Sequence, residues 1–113
     1  MSKQHVPEDK RALYQTLVDN HPQIELKGGN KLPYTSLNGN MFSQMTKAGK
    51  LGLRLAQADR ETFIETYNTG LLTNYGTVMK EYVEVPDELL ANTSELAPYL
   101  AKSYDYAKTL KAK

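Results

Sequence analysis

The sequence has no cysteine and only two histidines in 113 residues. The first absence excludes disulfides, thiol nucleophiles, iron–sulfur clusters and cysteine-based zinc sites, and it agrees with a reducing compartment. The histidines, His5 and His21, lack any Asp or Glu spacing that would mark a metal ligand set or a triad base, so surface or capping roles are expected for both. No run approaches the roughly 20 apolar residues that span a bilayer, and the first seven residues hold no apolar signal-like core. No membrane partner is expected, and the cytoplasm is the simplest compartment.

An excess of one charge is also missing: 14 Lys and Arg against 13 Asp and Glu leave a formal charge of +1. Non-specific nucleic-acid binding needs a concentrated basic stripe. The one local excess, Lys102, Lys108, Lys111 and Lys113, suits a solvated face and the C-terminal end of a helix. Direct nucleic-acid binding is therefore not expected.

The informative stretch runs from Asn38 to Tyr67 and reads as strand, tight turn, strand, helix. Lys47-Ala48-Gly49 fits a three-residue hairpin loop whose last position takes positive φ, which glycine accepts without a Cβ clash. That loop predicts Met45 facing Leu51, Ser43 facing Leu53 and Met41 facing Leu55 on one mostly apolar face. Phe42, Gln44, Thr46, Gly52, Arg54 and Ala56 are expected on the other. Gly49-Lys50 has neither the upstream glycine spacing nor the following Ser or Thr of a phosphate-binding loop, and is read as a turn.

Upstream, Pro7 opens a predicted helix with Glu8 and Asp9 in its first turn and Leu13, Tyr14, Leu17 and Val18 on one face, ending near Asn20 before His21-Pro22. Ile24 to Lys27 is either a short strand or an approach segment, and Gly28 to Lys31 is a flexible link. Leu32 to Leu37 is a strand, delayed or placed at an edge by Pro33, and Asn38-Gly39 turns it directly into the Met41 strand. Downstream, Asp59 is the expected cap of a helix with Phe63, Ile64 and Tyr67 on one face, ended by Gly70. Leu71 to Tyr75, a turn at Gly76 and an alternating run to Val85 give two more strands, with Lys80, Tyr82 and Glu84 on one side. Pro86-Asp87-Glu88 starts a helical turn through Leu90. In the last helix Leu96, Leu100, Ser103, Ala107 and Leu110 share a face; Asn92 with Glu95 resembles a capping box, but the expected start places Pro98 in the first turn.

Met41-Phe42 at a strand, Leu51-Gly52-Leu53-Arg54-Leu55 before an acid-started helix, and the run from Tyr82 to Leu90 followed by a closing helix resemble the N-terminal domain of TfoX/Sxy-like proteins. Pro33 to Phe42 and Met79 to Pro86 are similar to the stand-alone, single-domain version. The resemblance implies an α+β fold, a two-layer α/β sandwich in the order α-β-β-β-α-β-β-α with a mostly antiparallel sheet. One domain over residues 1–113 is expected.

No nucleophile–base pair or metal constellation emerges, so no catalytic residue, metal site or cofactor is assigned. Acid pairs such as Glu8-Asp9 and Asp87-Glu88 sit at helix starts, where the helix dipole accounts for them. One surface stands out: Phe42, Gln44, Gly52 and Arg54 on the hairpin's second face, extended by Lys80 and Tyr82. An aromatic, an arginine and a close-approach glycine are favoured at protein interfaces. The expectation is therefore a non-enzymatic interaction module, a homodimer, with a regulatory protein partner of the kind the resemblance implies. The alternative is a small-molecule binding protein or enzyme with a pocket between sheet and helices, using Arg54, Lys80 and Tyr82 for an anionic ligand.

Overall fold

The computed structural model describes residues 7–28, 32–74 and 76–111. His5, Lys113, Tyr75 and most of the Gly28 to Lys31 link lie outside them. Four helices and five strands follow in the order α1 (Glu8–Asp19), β1 (Tyr34–Leu37), β2 (Asn40–Met45), β3 (Leu51–Arg54), α2 (Gln57–Tyr67), β4 (Leu71–Asn74), β5 (Thr77–Val85), α3 (Asp87–Ala91) and α4 (Thr93–Thr109). The class is α+β, the sheet is antiparallel throughout with strand order β1-β2-β3-β5-β4, and the element order is the expected one with α3 as the short helical turn after Pro86.

The turns behave as their residues dictate. Asn38 and Gly39 both take positive φ, 55° and 83°, which matches the twist of a two-residue hairpin turn and pairs Leu37 with Asn40. Gly49 takes φ +83° at the end of the three-residue loop, and Ser43 pairs with Leu53 and Met45 with Leu51 as predicted. Lys27 forms only an isolated bridge to Tyr34, so Ile24 to Lys27 is an approach segment, and β1 begins one residue after Pro33.

Three expectations at helix ends are corrected. Helix α2 starts at Gln57 with Ala56 as its N-cap, which leaves Asp59 as an acid inside the first turn. Its C-cap is Asn68 in the left-handed conformation (φ 52°), because Asn tolerates that region and arrives two residues before Gly70. Helix α4 starts at Thr93, so Pro98 lies inside it. The bond that Pro98 forgoes would have gone to the carbonyl of Ser94, an exposed residue whose carbonyl water can serve.

The helices form one layer over one face of the sheet. Tyr14, Leu17 and Val18 of α1, Phe63 of α2, Leu89 and Leu90 of α3, and Leu96, Leu100 and Ala107 of α4 pack with Phe42, Met45, Leu51, Leu53, Leu55, Val83 and Val85 in one core. Within it the Tyr14 hydroxyl and Thr35 Oγ1 each lie 2.5 Å from Ser43 Oγ, all three residues being fully buried. This chain gives the buried hydroxyls partners where water cannot. Among the described residues no helix lies on the other face of the sheet.

Candidate functional site on the helix-free face

The second hairpin face differs from expectation at one residue, for a backbone reason. Pairing of β1 with β2 runs Thr35↔Ser43 and then Ser36↔Met41, leaving Phe42 without a partner. Such a bulge breaks the alternation of side chains. Phe42 and Ser43 therefore both meet the helix layer: Phe42 packs edge-on against Tyr104 of α4 at 5.7 Å, while Ser43 meets Tyr14. Phe42 thus leaves the candidate surface and enters the core, and Met41 takes its place on the open face instead of facing Leu55.

Gln44, Gly52, Arg54 and Tyr82 do come together there. Gly52 pairs with Gln44 on one side and Glu84 on the other, and Arg54 pairs with Tyr82. The Met41 carbonyl is their shared acceptor: the Tyr82 hydroxyl donates to it at 2.8 Å and Arg54 Nη1 at 3.3 Å. Arg54 Nε also donates to Glu81 Oε1 at 2.6 Å, and the other Glu81 oxygen accepts from Tyr106 of α4 at 3.3 Å. A carboxylate at the sheet's end thus ties the arginine to the helix layer, shielding part of its charge.

Gly52 is occupied from within. On β4 the pairing jumps from Leu71↔Val83 to Leu72↔Met79, so Lys80, Glu81 and Tyr82 have no partners on that strand. The irregularity bends β5 and carries Leu72 across the face. A Cβ on Gly52 would fall inside contact distance of Leu72 Cδ2 and 3.2 Å from its Cγ. Leu72 is fully buried and Tyr82 is 7% exposed, although neither belongs to the helix-side core. Burial, first of all, pushes the Tyr82 hydroxyl from its ordinary 10.0 up to about 12; the Arg54 charge opposes this.

Two hollows flank this cluster. Arg54, Val78, Met79, Lys80, Glu81 and Tyr82 line an open depression of about 330 Å³, to which no helix contributes, so it does not lie between sheet and helices. Val78 there is 51% exposed, and it is the exposed large apolar side chain among the described residues. At the opposite edge, Leu32, Pro33, Tyr34, Met41, Gln44 and Met45 line a more enclosed cavity of about 260 Å³. Leu32, Pro33, Tyr34, Met41 and Leu72 were missed from sequence; the adjacent apolar pair Met41-Phe42 was the one hint that both faces of β2 carry apolar side chains.

Elsewhere, a hollow of about 350 Å³ beside α3 is lined by Tyr67, Pro86, Glu88, Leu89, Asn92 and Glu95. Its Glu95 carboxylate is held by the Tyr67 hydroxyl at 2.8 Å and Asn92 Nδ2 at 3.1 Å. His21 is not an ordinary surface residue: its Nε2 is buried without a partner, and burial lowers its pKa from 6.5. Among the described residues no three His, Asp or Glu side chains are placed to hold a metal ion, and no helix is long and apolar enough to cross a membrane. Lys50 in the Gly49 turn pairs with Asp87, as does Lys10 at 3.2 Å.

Fold and site define an antiparallel sheet covered by helices on one face and open, with aromatic and apolar hollows, on the other. Comparison with models of known families, with curated proteins and with solved structures finds no match.

Proposed function

We propose that the chain is a non-enzymatic, cytoplasmic interaction module of the kind its resemblance to the TfoX/Sxy N-terminal domain implies, one that forms a homodimer through the helix-free face and contacts a regulatory protein in transcriptional control. The observation that supports this reading is Val78, an exposed apolar side chain that lines, with Arg54, Lys80 and Tyr82, an open depression to which none of the described helices contributes. An apolar centre with aromatic and arginine neighbours is the composition of protein interfaces. An anionic ligand at Arg54 has less support, since that guanidinium already serves Glu81 and the Met41 carbonyl.

The test is the solution molar mass by light scattering of the wild type and of Val78→Glu. Val78 makes little internal packing, so the variant is expected to fold, which circular dichroism checks. A wild-type dimer and a folded monomeric variant support the reading. A wild type that stays monomeric across a concentration series removes self-association through this face.

A further inference from the structure

The two borders of the sheet are finished differently. At β1 the approach segment closes the border: Lys27 exchanges both backbone bonds with Tyr34, Lys27 Nζ donates to Ser36 Oγ at 3.1 Å, and Pro33 precedes the strand. Covering segments, lysines and prolines are the means by which proteins keep a strand border from pairing with another chain. β4 has none of them. It is the last strand of the sheet, its Leu71-Leu72-Thr73-Asn74 carries neither charge nor proline, and among the described residues no backbone bond reaches its outer side. It also belongs to a projecting ribbon: β3 stops at Arg54 opposite Tyr82, so Thr77, Val78 and Met79 pair with β4 alone. Two strands without a third are marginal in water, and here the directly opposed Thr73 and Val78 are both exposed.

The backbone decides what a partner strand would meet. Two residues separate Asn74 from Thr77, and in so tight a hairpin the closing pair exchanges both its hydrogen bonds. Bonding alternates along an antiparallel strand, so Leu72 also bonds inward to Met79, and the N–H and C=O of Thr73 point outward. With no charge on the strand a second copy meets no repulsion there, and a two-fold axis makes one surface complementary to itself. Such an axis stands perpendicular to the sheet and keeps every side chain on its own face; since neighbours alternate faces, one residue must lie opposite its own copy. Thr73 meets this condition: it is exposed, bonds outward, and Thr–Thr is a favoured cross-strand pair, whereas Leu72 is buried over Gly52. We propose that β4 is the seam of a two-fold dimer in which it pairs antiparallel with β4 of a second copy, Thr73 against Thr73, so that the two sheets become one. This seam rests on the self-association proposed above; it places the contact at the border of the helix-free face and leaves the joined face open to a further protein. Four residues make a short seam, so the dimer dissociates on dilution.

The test has two readouts on the full chain. Amide hydrogen exchange of the wild type is followed by NMR across a concentration series, with the molar mass measured in parallel by light scattering. The Thr73 amide points to water in the monomer and gains an acceptor in the dimer, so its exchange should slow about tenfold once about nine-tenths of the chains are dimeric. Thr73→Lys and Thr73→Glu, each checked by circular dichroism, set like charges against each other at the axis and should be monomers, while their equimolar mixture should recover the dimer mass. A wild type that is monomeric throughout removes the self-association and the seam with it. A dimeric mass with an unchanged Thr73 exchange rate, single variants that remain dimers, or folded variants whose mixture stays monomeric overturn the seam alone. The exchange readout stands even if the variants fail to fold.

Discussion

The two faces of one sheet differ in what their polar side chains bond, although the helix layer itself holds a buried hydroxyl without a partner, Ser103 Oγ. On the helix-covered face, Tyr14, Ser43 and Thr35 bury three hydroxyls completely and pair them with one another. On the open face, Tyr82 and Arg54 converge on a single backbone carbonyl, and the Gln44 amide lies within hydrogen-bonding reach of the Tyr82 hydroxyl. Satisfied buried networks help to fix a unique core. The covered face therefore supplies stability, and the open face is where recognition can occur. Mutations of both faces should separate these roles.

The largest expected effect belongs to the covered face. Phe42→Ala removes a fully buried ring from between the bulge and Tyr104 of α4, and a loss of about 3–5 kcal/mol is expected in urea denaturation. A loss below about 1 kcal/mol, within the range of surface changes, would mean that Phe42 faces the open side and that the bulge is misassigned.

That residue also shows where the sequence stops being legible. The turn at Lys47-Ala48-Gly49 specifies pairing through local backbone conformation, so Ser43↔Leu53 and Met45↔Leu51 could be read directly, and strict alternation then delivers Gln44, Gly52 and Arg54 to one face. Alternation fails at Phe42 because the extra residue is absorbed between β1 and β2, and no glycine or proline marks the place. The same limit hides Leu72: its position over Gly52 depends on a break in pairing with β5 that falls between Leu71 and Leu72, far from Gly52 in sequence. Asn68 and Pro98 fail for a different reason. At each end two local signals compete and the one met first along the chain prevails, Asn68 ahead of Gly70 and Asn92 ahead of Pro98.

Gly52→Ala probes the internal covering of the open face. The added methyl must displace Leu72, which is fully buried, and overpacking of this kind costs about 1–3 kcal/mol. Double substitution with Leu72→Ala should then cost less than the sum of the two single changes, because the cavity left by the leucine admits the methyl. Strict additivity would show that Leu72 does not lie over Gly52, and that the glycine is open to a partner.

Tyr82→Phe gives the smallest effect and the sharpest comparison, since it changes one hydroxyl on the open face. At pH 8 the loss of the bond to the Met41 carbonyl should cost about 1 kcal/mol. The pH dependence has a definite sign. Burial raises the folded-state pKa of Tyr82 from 10.0 to about 12, so the folded protein keeps a proton that the unfolded chain releases. The stability linked to that proton is complete below pH 10 and drains away as the pH rises toward 12. Tyr82→Phe has no proton to lose at this position, while Tyr14, whose hydroxyl burial also raises, is common to both proteins. Wild-type and variant stabilities should therefore converge above pH 8 and meet before pH 11, where the linked loss of about 1.4 kcal/mol exceeds the gap of about 1 kcal/mol. Parallel curves would mean that Tyr82 titrates as an exposed phenol, and that the open face is wetter than Leu72 and Tyr82 make it.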